Sequence, residues 1–267
     1  MRRAIIKLLT RPRKYIPVLG TVPLQLICPL FQNRSFFLQG QMDIHPKARW
    51  RSDIVPDTGG FYPRSGRGER RIRNLDPHDN TRRDMMILLL RSIIEREVPG
   101  PFAELGVYRG LTARLIHQYA PERPLHLFDT FEGFTDRSTL PEKGRTGLQV
   151  FPEQFSDTSL ERVKRFVGPK NDNVAYHPGF FPDSIPEPLR QMTFAFAHLD
   201  ADLYEPTTEG LRFFYPRISP GGMLLVHDYN AWPGARKSVD EFFADKPELP
   251  IPMPDKNGSA LIVKQPH

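Results

Sequence analysis

The chain has 267 residues, enough for one α/β domain with a sizeable core plus an extension. Hydrophobic residues make up 39% and charged residues 25%, which is ordinary for a soluble globular protein. The single cysteine, Cys28, excludes an internal disulfide, so we expect a reducing, cytoplasmic location.

The net charge of +6 is unevenly distributed, because residues 1–83 are strongly basic and the remainder is mildly acidic. A basic leader can bind nucleic acid or anionic lipid, or it can cover the acidic body of its own domain. No basic–aromatic nucleic-acid motif is present, so we favour the cover and expect no nucleic-acid partner. The longest apolar run, 16–31, is interrupted by prolines and is shorter than the roughly 20 residues that a transmembrane helix needs. Peripheral membrane contact by residues 1–31 stays open.

Residues 1–75 are rich in Pro, Gly and Arg and show little periodicity, which indicates an N-terminal extension of short helices and loops before a main domain at 76–267. In the main domain, alternating patterns predict a doubly wound, mostly parallel α/β sheet with helices on both faces. The predicted helices span 81–97, 110–119, 158–166, 186–191, 205–215 and 235–244. The predicted strands span 102–107, 125–129, 174–177, 194–200, 222–228 and 259–264.

The first strand ends in the motif Glu104-x-Gly106-x-x-x-Gly110. Gly106 allows a sharp turn and close approach to a ligand, and Gly110 opens the next helix. The spacing differs from Gly-x-Gly-x-x-Gly, which disfavours a pyrophosphate cradle and an NAD-dependent oxidoreductase. An acid at this strand end suits a ligand with an ammonium group, such as S-adenosylmethionine. The alternative is a simple strand-to-helix turn whose glycines serve packing.

Asp129 ends the next strand, where a carboxylate can accept both hydroxyls of a ribose. The alternative is that Asp129 caps the loop at 130–133. Phe180 follows a later strand end and is a candidate contact for an adenine ring. It is equally well explained as the apolar anchor of its loop.

Four side chains at two further strand ends form the most informative group: Asp200, Asp202, His227 and Asp228. Carboxylates gathered at one sheet edge can hold Mg²⁺, which as a Lewis acid would lower the pKa of a substrate hydroxyl. Asp200 and Asp202 are expected to face the same side if the strand continues, so that one binds the ion and the other accepts the substrate proton. The alternative is that these acids cap the helices predicted from residues 205 and 235.

His227 is a candidate metal ligand, general base or packed histidine. Imidazole suits Zn²⁺, Mn²⁺ or Fe better than Mg²⁺. The other histidines of the main domain, His117, His126 and His198, are interpreted as structural or exposed.

In combination, seven segments resemble the macrocin/mycinamicin O-methyltransferase family, which also includes the aminocoumarin sugar methyltransferases. The resemblance implies a class I S-adenosylmethionine-dependent methyltransferase with a seven-stranded, Rossmann-like sheet. It further implies an enzyme that uses Mg²⁺ to methylate a sugar hydroxyl on a natural product, so the partner expected is a small, glycosylated molecule. The matching segments are FAELGVYRG at 102–110, FDTFEG at 128–133, GFFPDSIP at 179–186, LDADLYE at 199–205, YPRISPGG at 215–222, HDY at 227–229 and GARKSVDEF at 234–242.

The resemblance also implies roles for individual residues. It places Glu104, Gly106, Tyr108 and Asp129 at the cofactor, Asp200 and Asp228 on the metal, and Asp202 as the base. The family usually has two consecutive aspartates before Tyr229, whereas the first of these positions is His227 here, which leaves the identity of the metal open.

The N-terminal region of the family forms a lid over the substrate, and we expect residues 1–75 to close the site in the same way although they match poorly. Two other functions stay open. One is a metal-independent methyltransferase in which His227 is the base. The other is a degenerate cofactor-binding scaffold whose basic leader recruits a membrane or a protein. The sequence leaves the oligomeric state open, a homo-oligomer included.

Overall fold

The computed structural model describes residues 79–168 and 173–265. The predicted N-terminal extension at 1–75, its role as a lid, and Cys28 lie outside the described residues. Within the described part of the chain, no helix has the length and apolar character needed to cross a bilayer.

Helices and strands alternate along the described chain, as the sequence pattern predicts. The helices are α1 (Asn80–Glu95), α2 (Leu111–Tyr119), α3 (Asp136–Thr146), α4 (Leu160–Val167), α5 (Tyr204–Phe214) and α6 (Pro233–Phe242), with short 3₁₀ turns at Glu187–Gln191 and Tyr215–Arg217. The strands are β1 (Phe102–Leu105), β2 (Leu125–Asp129), β3 (Val174–Pro178), β4 (Phe194–Leu199), β5 (Ile218–Val226), β6 (Ile251–Pro252) and β7 (Ala260–Val263).

The seven strands form one sheet in the order β3-β2-β1-β4-β5-β7-β6. Strands β1 to β5 are parallel, and β7 runs antiparallel between β5 and β6. The predicted mostly parallel, doubly wound sheet is therefore confirmed. The strand order reverses between β1 and β4, and in open α/β sheets this reversal leaves a ligand-binding crevice at the carboxyl ends of the strands.

Helices α1, α2 and α4 pack together on one face of the sheet, and α3, α5 and α6 pack together on the other. Each face has its own apolar core. Phe102 and Phe196 belong to the core beneath α1, whereas Phe128 and Phe214 belong to the opposite core. Because β1 and β4 are buried on both faces, they have nearly continuous apolar sequences rather than an alternating pattern.

Helix α3 was not predicted, because Pro141 and Gly144 interrupt a segment with few apolar residues. Tertiary contacts stabilise it instead. The Glu142 carboxylate is buried and accepts a hydrogen bond from the Tyr204 amide at 2.8 Å. This bond satisfies an amide in the first turn of α5, whose own N-cap residue supplies no capping side chain.

Several predicted boundaries are wrong by one to four residues, and two of these differences are informative. Ser159, rather than Thr158, is the N-cap of α4, and the Thr158 hydroxyl instead donates to the Tyr108 carbonyl at 2.5 Å. Strand β4 ends at Leu199, one residue before Asp200. Both differences involve the loops that follow parallel strands, where tertiary contacts determine the path of the chain.

Candidate functional site

A cavity of about 410 Å³ opens at the carboxyl ends of β1, β2, β4 and β5. Its volume is within the range typical of small-molecule sites. With the exception of Gly110, the predicted site residues all line it: Glu104, Gly106, Tyr108, Asp129, Phe180, Asp200, Asp202, His227 and Asp228. The structure therefore brings the two groups of predicted residues, those after β1 and β2 and those after β4 and β5, into one space.

The two glycines of the first loop have different surroundings. Gly106 has a φ of +86°, and a Cβ there would lie 2.1 Å from the carbonyl oxygen of Asp200. A side chain at this position would separate the β1 loop from the end of β4. Gly110 is the N-cap residue of α2, as predicted, but a Cβ there would lie 2.9 Å from Val167 of α4. Gly110 thus permits helix packing outside the cavity wall.

Asp129 joins the loops after β1 and β2. One carboxylate oxygen accepts hydrogen bonds from the amides of Val107 and Tyr108, at 2.6 and 2.9 Å. The other accepts one from the amide of Phe131 at 2.6 Å. The carboxylate is therefore fixed by backbone groups of both loops. The first oxygen already accepts two hydrogen bonds, whereas the second accepts one amide and has a lone pair left for a hydroxyl of a ligand.

Glu104 lies almost fully buried in β1, with 1% of its surface exposed. Its strand partner is His198 of β4, and the Oε1 of Glu104 lies 3.0 Å from the Nδ1 of His198. The other oxygen, Oε2, is buried and has no hydrogen-bond partner. Burial and then the negative charge of Asp200 raise the pKa of the Glu104 carboxyl well above its usual range. An ammonium group of a ligand would satisfy Oε2.

His198 was interpreted as structural or exposed, and it is fully buried. Its hydrogen bond to Glu104 connects the strand that begins the cofactor motif to the strand that precedes the acidic cluster. Sequence spacing gives no signal for this contact, because parallel pairing of β1 with β4 brings the two residues together.

Asp200, His227 and Asp228 form a compact cluster in which one ligand atom of each lies within 4.8 Å of the others. The Nδ1 of His227 lies 2.9 Å from Asp200 Oδ1 and 3.1 Å from Asp228 Oδ2. The second oxygen of Asp228, Oδ1, is buried without a hydrogen-bond partner. Two carboxylates, one imidazole and an unsatisfied oxygen fit a divalent cation, and the imidazole favours Mn²⁺, Fe²⁺ or Zn²⁺ over Mg²⁺.

The alternative that the acids cap the following helices is wrong, because Leu203 and Trp232 are the N-cap residues of α5 and α6. Asp202 also reaches the cavity by a different path from the one expected. The strand does not continue to Asp202, which lies in a turn with a φ of +59°. This turn places its side chain in the cavity beside Asp228.

The electrostatics of the cluster follow from crowding of acids. Burial, followed by the negative charge of Asp200, raises the pKa of Asp202 well above its usual range. For His227, burial disfavours the charged form, but the carboxylates of Asp200 and Asp228 outweigh it and raise the pKa of the imidazole. Asp202 thus retains a proton readily, and His227 supplies positive charge to the cluster.

Two charged residues beside the acidic cluster were missed by sequence reasoning. Arg82, in the first turn of α1, places Nη1 3.0 Å from His227 Nε2 and 3.7 Å from Asp200 Oδ2. Asp255 is fully buried and lies 3.8 Å from His227 Nε2, while its oxygens accept hydrogen bonds from the amide and hydroxyl of Ser259. The only sequence signal for Arg82 is a basic residue in the first turn of a predicted helix. Asp255 lies in a loop and has none.

Aromatic side chains form another wall of the cavity. Phe134 contacts Phe155 edge-on with centroids 5.0 Å apart, and both rings lie near Trp232. Phe155 in turn contacts Tyr108. At Phe180, the guanidinium of Arg137 lies 3.8 Å from the ring centroid. These rings offer apolar surface beside the acidic cluster.

A model of the Macrocin-O-methyltransferase (TylF) family matches residues 68–261. Among similar proteins, the mycinamicin III 3''-O-methyltransferase of Micromonospora griseorubida is 33% identical over 166 residues, which are 57% of this chain and 64% of that protein. The demethyldecarbamoylnovobiocin O-methyltransferase of Streptomyces niveus is 29% identical over 165 residues, 58% of this chain and 62% of that protein. The chain thus spans less than two thirds of the length of these relatives.

Solved structures with the same architecture include the O-methyltransferase NovP, with a TM-score of 0.58 and 24% identity over 70% of this chain and 81% of that one. The calicheamicin methyltransferase CalS11 has a TM-score of 0.53 and 21% identity over 67% of this chain and 78% of that one. At this level of identity the likeness concerns the fold alone.

Proposed function

Since this chain belongs to the macrocin-O-methyltransferase family and has the class I methyltransferase fold, we propose that it transfers a methyl group from S-adenosylmethionine to a hydroxyl group of a small molecule. One observation carries the proposal. A single cavity contains both a buried carboxylate oxygen without a partner, Glu104 Oε2, and the cluster of Asp200, Asp202, His227 and Asp228.

The β1 and β2 side of the cavity would bind the cofactor. Glu104 Oε2 would accept a hydrogen bond from the ammonium group, and Asp129 would accept the ribose hydroxyls. Gly106, Tyr108 and Phe180 would contact the rest of the cofactor. When bound, S-adenosylmethionine supplies a methyl group attached to its sulfonium sulfur. The acceptor oxygen would lose its proton and form a bond to this methyl group, while the sulfur keeps the electron pair of the broken bond. Positioning, rather than covalent catalysis, is the main contribution of the protein.

The β4 and β5 side would bind and deprotonate the acceptor. Asp202 is the proposed proton acceptor, because its raised pKa favours retention of an abstracted proton. Asp200, His227 and Asp228 would hold a divalent cation, which when bound lowers the pKa of the acceptor hydroxyl. A role of His227 as the base is less favoured, since both of its ring nitrogens already have polar partners.

The acceptor class is proposed to be a sugar hydroxyl on a natural product. One relative is named for 3''-O-methylation of mycinamicin III and another, from Streptomyces olivaceus, for 4'-O-methylation of a rhamnosyl group on tetracenomycin C. Rings such as Trp232 and Phe155 offer apolar surface on which the C–H face of a sugar can pack. Residues 1–75 are proposed to cover the bound acceptor, so deletion of residues 1–70 should raise its KM.

Calorimetric titration of S-adenosylhomocysteine into the full-length protein, first with Mg²⁺ and then with excess EDTA, tests the proposal. We expect a Kd in the micromolar range, about −8 kcal/mol of binding free energy, in both conditions. Absence of binding would contradict the cofactor assignment. Methyl transfer is then measured by mass spectrometry with a panel of glycosylated natural products.

The same assay separates the alternatives. Full turnover in EDTA that is lost in His227→Ala would favour a metal-independent enzyme with His227 as base. Binding of S-adenosylhomocysteine without transfer to any acceptor, together with binding to anionic vesicles, would favour a cofactor-binding scaffold.

A further inference from the structure

We infer that the positively charged guanidinium of Arg82 competes with a divalent ion for the Asp200–His227–Asp228 cluster. The inference rests on the proposed function only in treating this cluster as a cation site. Arg82 then controls whether an ion binds to the cluster and how tightly it binds.

Arg82 is held only in part by its own helix, through a 4.0 Å ion pair between its Nε and Oδ2 of the N-cap residue Asp79. It lies in the first turn of α1, where the helix dipole disfavours a positive charge. The N-cap residue Asp79 accepts a hydrogen bond from the Arg82 amide at 2.9 Å and another from the amide of Lys256 at 3.0 Å, which fixes this end of α1 against the loop that contains Asp255. The guanidinium then extends over the sheet to His227 and Asp200.

Arg82 also contacts His227 directly. Its Nη1 lies 3.0 Å from Nε2 of the ring, while Nδ1 of the same ring faces the carboxylates of Asp200 and Asp228. Two of the three candidate ligands, Asp200 and His227, are thus in contact with the guanidinium.

Charge leads to the same conclusion. The guanidinium lies 3.7 Å from Asp200 Oδ2 and neutralises part of the charge that would otherwise attract an ion. An ion that used the ligand atoms of Asp200 and His227 would be adjacent to this positive group and would be repelled by it. At the effective dielectric constant typical of such sites, this repulsion weakens ion binding by about tenfold or more unless Arg82 withdraws.

The test is Mn²⁺ binding, measured by the electron paramagnetic resonance signal of free Mn²⁺ with full-length protein. Arg82→Gln and Arg82→Met remove the charge, Arg82→Lys retains it, and Arg212→Gln removes an exposed arginine on α5 as a matched control. We expect the Gln and Met variants to bind Mn²⁺ at least about tenfold more tightly than the wild type. Arg82→Lys and Arg212→Gln should bind like the wild type.

Equal or weaker Mn²⁺ affinity in the two neutral variants would overturn the inference, and so would the absence of Mn²⁺ binding in every variant. If neither neutral variant folds, the wild type decides. Saturating Mg²⁺ should shift the side-chain Nε–H resonance of Arg82, assigned by its loss in Arg82→Lys, and an unchanged resonance would contradict the inference. Titration with S-adenosylhomocysteine is independent of these results, so failure of the proposed function is recognised separately.

Discussion

The two sides of the cavity are stabilised by different kinds of bonds. On the β1–β2 side, the Asp129 carboxylate is hydrogen-bonded by three backbone amides. On the β4–β5 side, Asp200, His227 and Arg82 contact one another through side chains. The path of the backbone therefore fixes the first side. The second is a balance of charges, which a single substitution or a bound ion can alter.

The largest effect is expected on the backbone-fixed side. In the wild type both carboxylate oxygens of Asp129 accept hydrogen bonds from backbone amides. The Asp129→Asn variant has only one side-chain oxygen, so the NH₂ group of the asparagine must face at least one backbone N–H. Unpaired groups of this kind cost about 1–3 kcal/mol each, and the ribose also loses an acceptor. We expect S-adenosylhomocysteine affinity to fall by about a hundredfold and unfolding free energy by about 2–3 kcal/mol.

Calorimetry and urea unfolding measure the two quantities. Glu187→Gln is the control, because Glu187 is an exposed acid outside the cavity whose partner is Arg190, also exposed. Wild-type affinity and stability in Asp129→Asn would show that the backbone contacts do not stabilise this side of the cavity, and the comparison would fail.

A smaller effect is expected where the two sides meet. His198→Leu removes the hydrogen-bond partner of Glu104 while it keeps an apolar side chain in the core, so both oxygens of a buried carboxyl become unpaired. We expect the unfolding free energy to fall by about 1–3 kcal/mol in urea. The double variant Glu104→Leu/His198→Leu should regain most of this loss, since no polar group is then left unpaired. Strictly additive losses would refute the coupling.

A pH effect on stability is expected at His126, which does not line the cavity and so belongs to neither of its two sides. Burial, followed by the neighbouring His177, lowers the pKa of His126 from its usual 6.5 to about 4. Because folding favours the neutral form, its contribution is complete above about pH 6.5 and is lost as the pH falls from there towards 4. We expect a loss of about 1–2 kcal/mol after solvent screening, which His126→Gln should abolish.

Urea unfolding at pH 7 and pH 5 measures this effect. Any pH dependence that remains in His126→Gln can then be ascribed to other groups, including those of the charge-balanced side. An unchanged slope in the variant would mean that His126 does not titrate as described.

Sequence reasoning was most successful where residues are adjacent along one strand and its loop. Glu104 and Gly106, or Asp200 and Asp202, are close in sequence, and parallel strands place all such ends at one edge. It failed where the contact partner is remote. Helix α3 depends on the bond between Glu142 and Tyr204, and α1 contributes Arg82 to a cluster formed more than a hundred residues later.

By itself, the sequence determined the parallel sheet, the strand ends and therefore the set of polar residues around one cavity, because apolar runs and turn residues are local properties of the chain. Only the tertiary structure decided how those residues are paired. Glu104 with His198 and His227 with Arg82 are contacts between different elements. The charge and proton of each group depend on distances of 3–4 Å to such partners, and these distances exist only after the sheet and helices have packed.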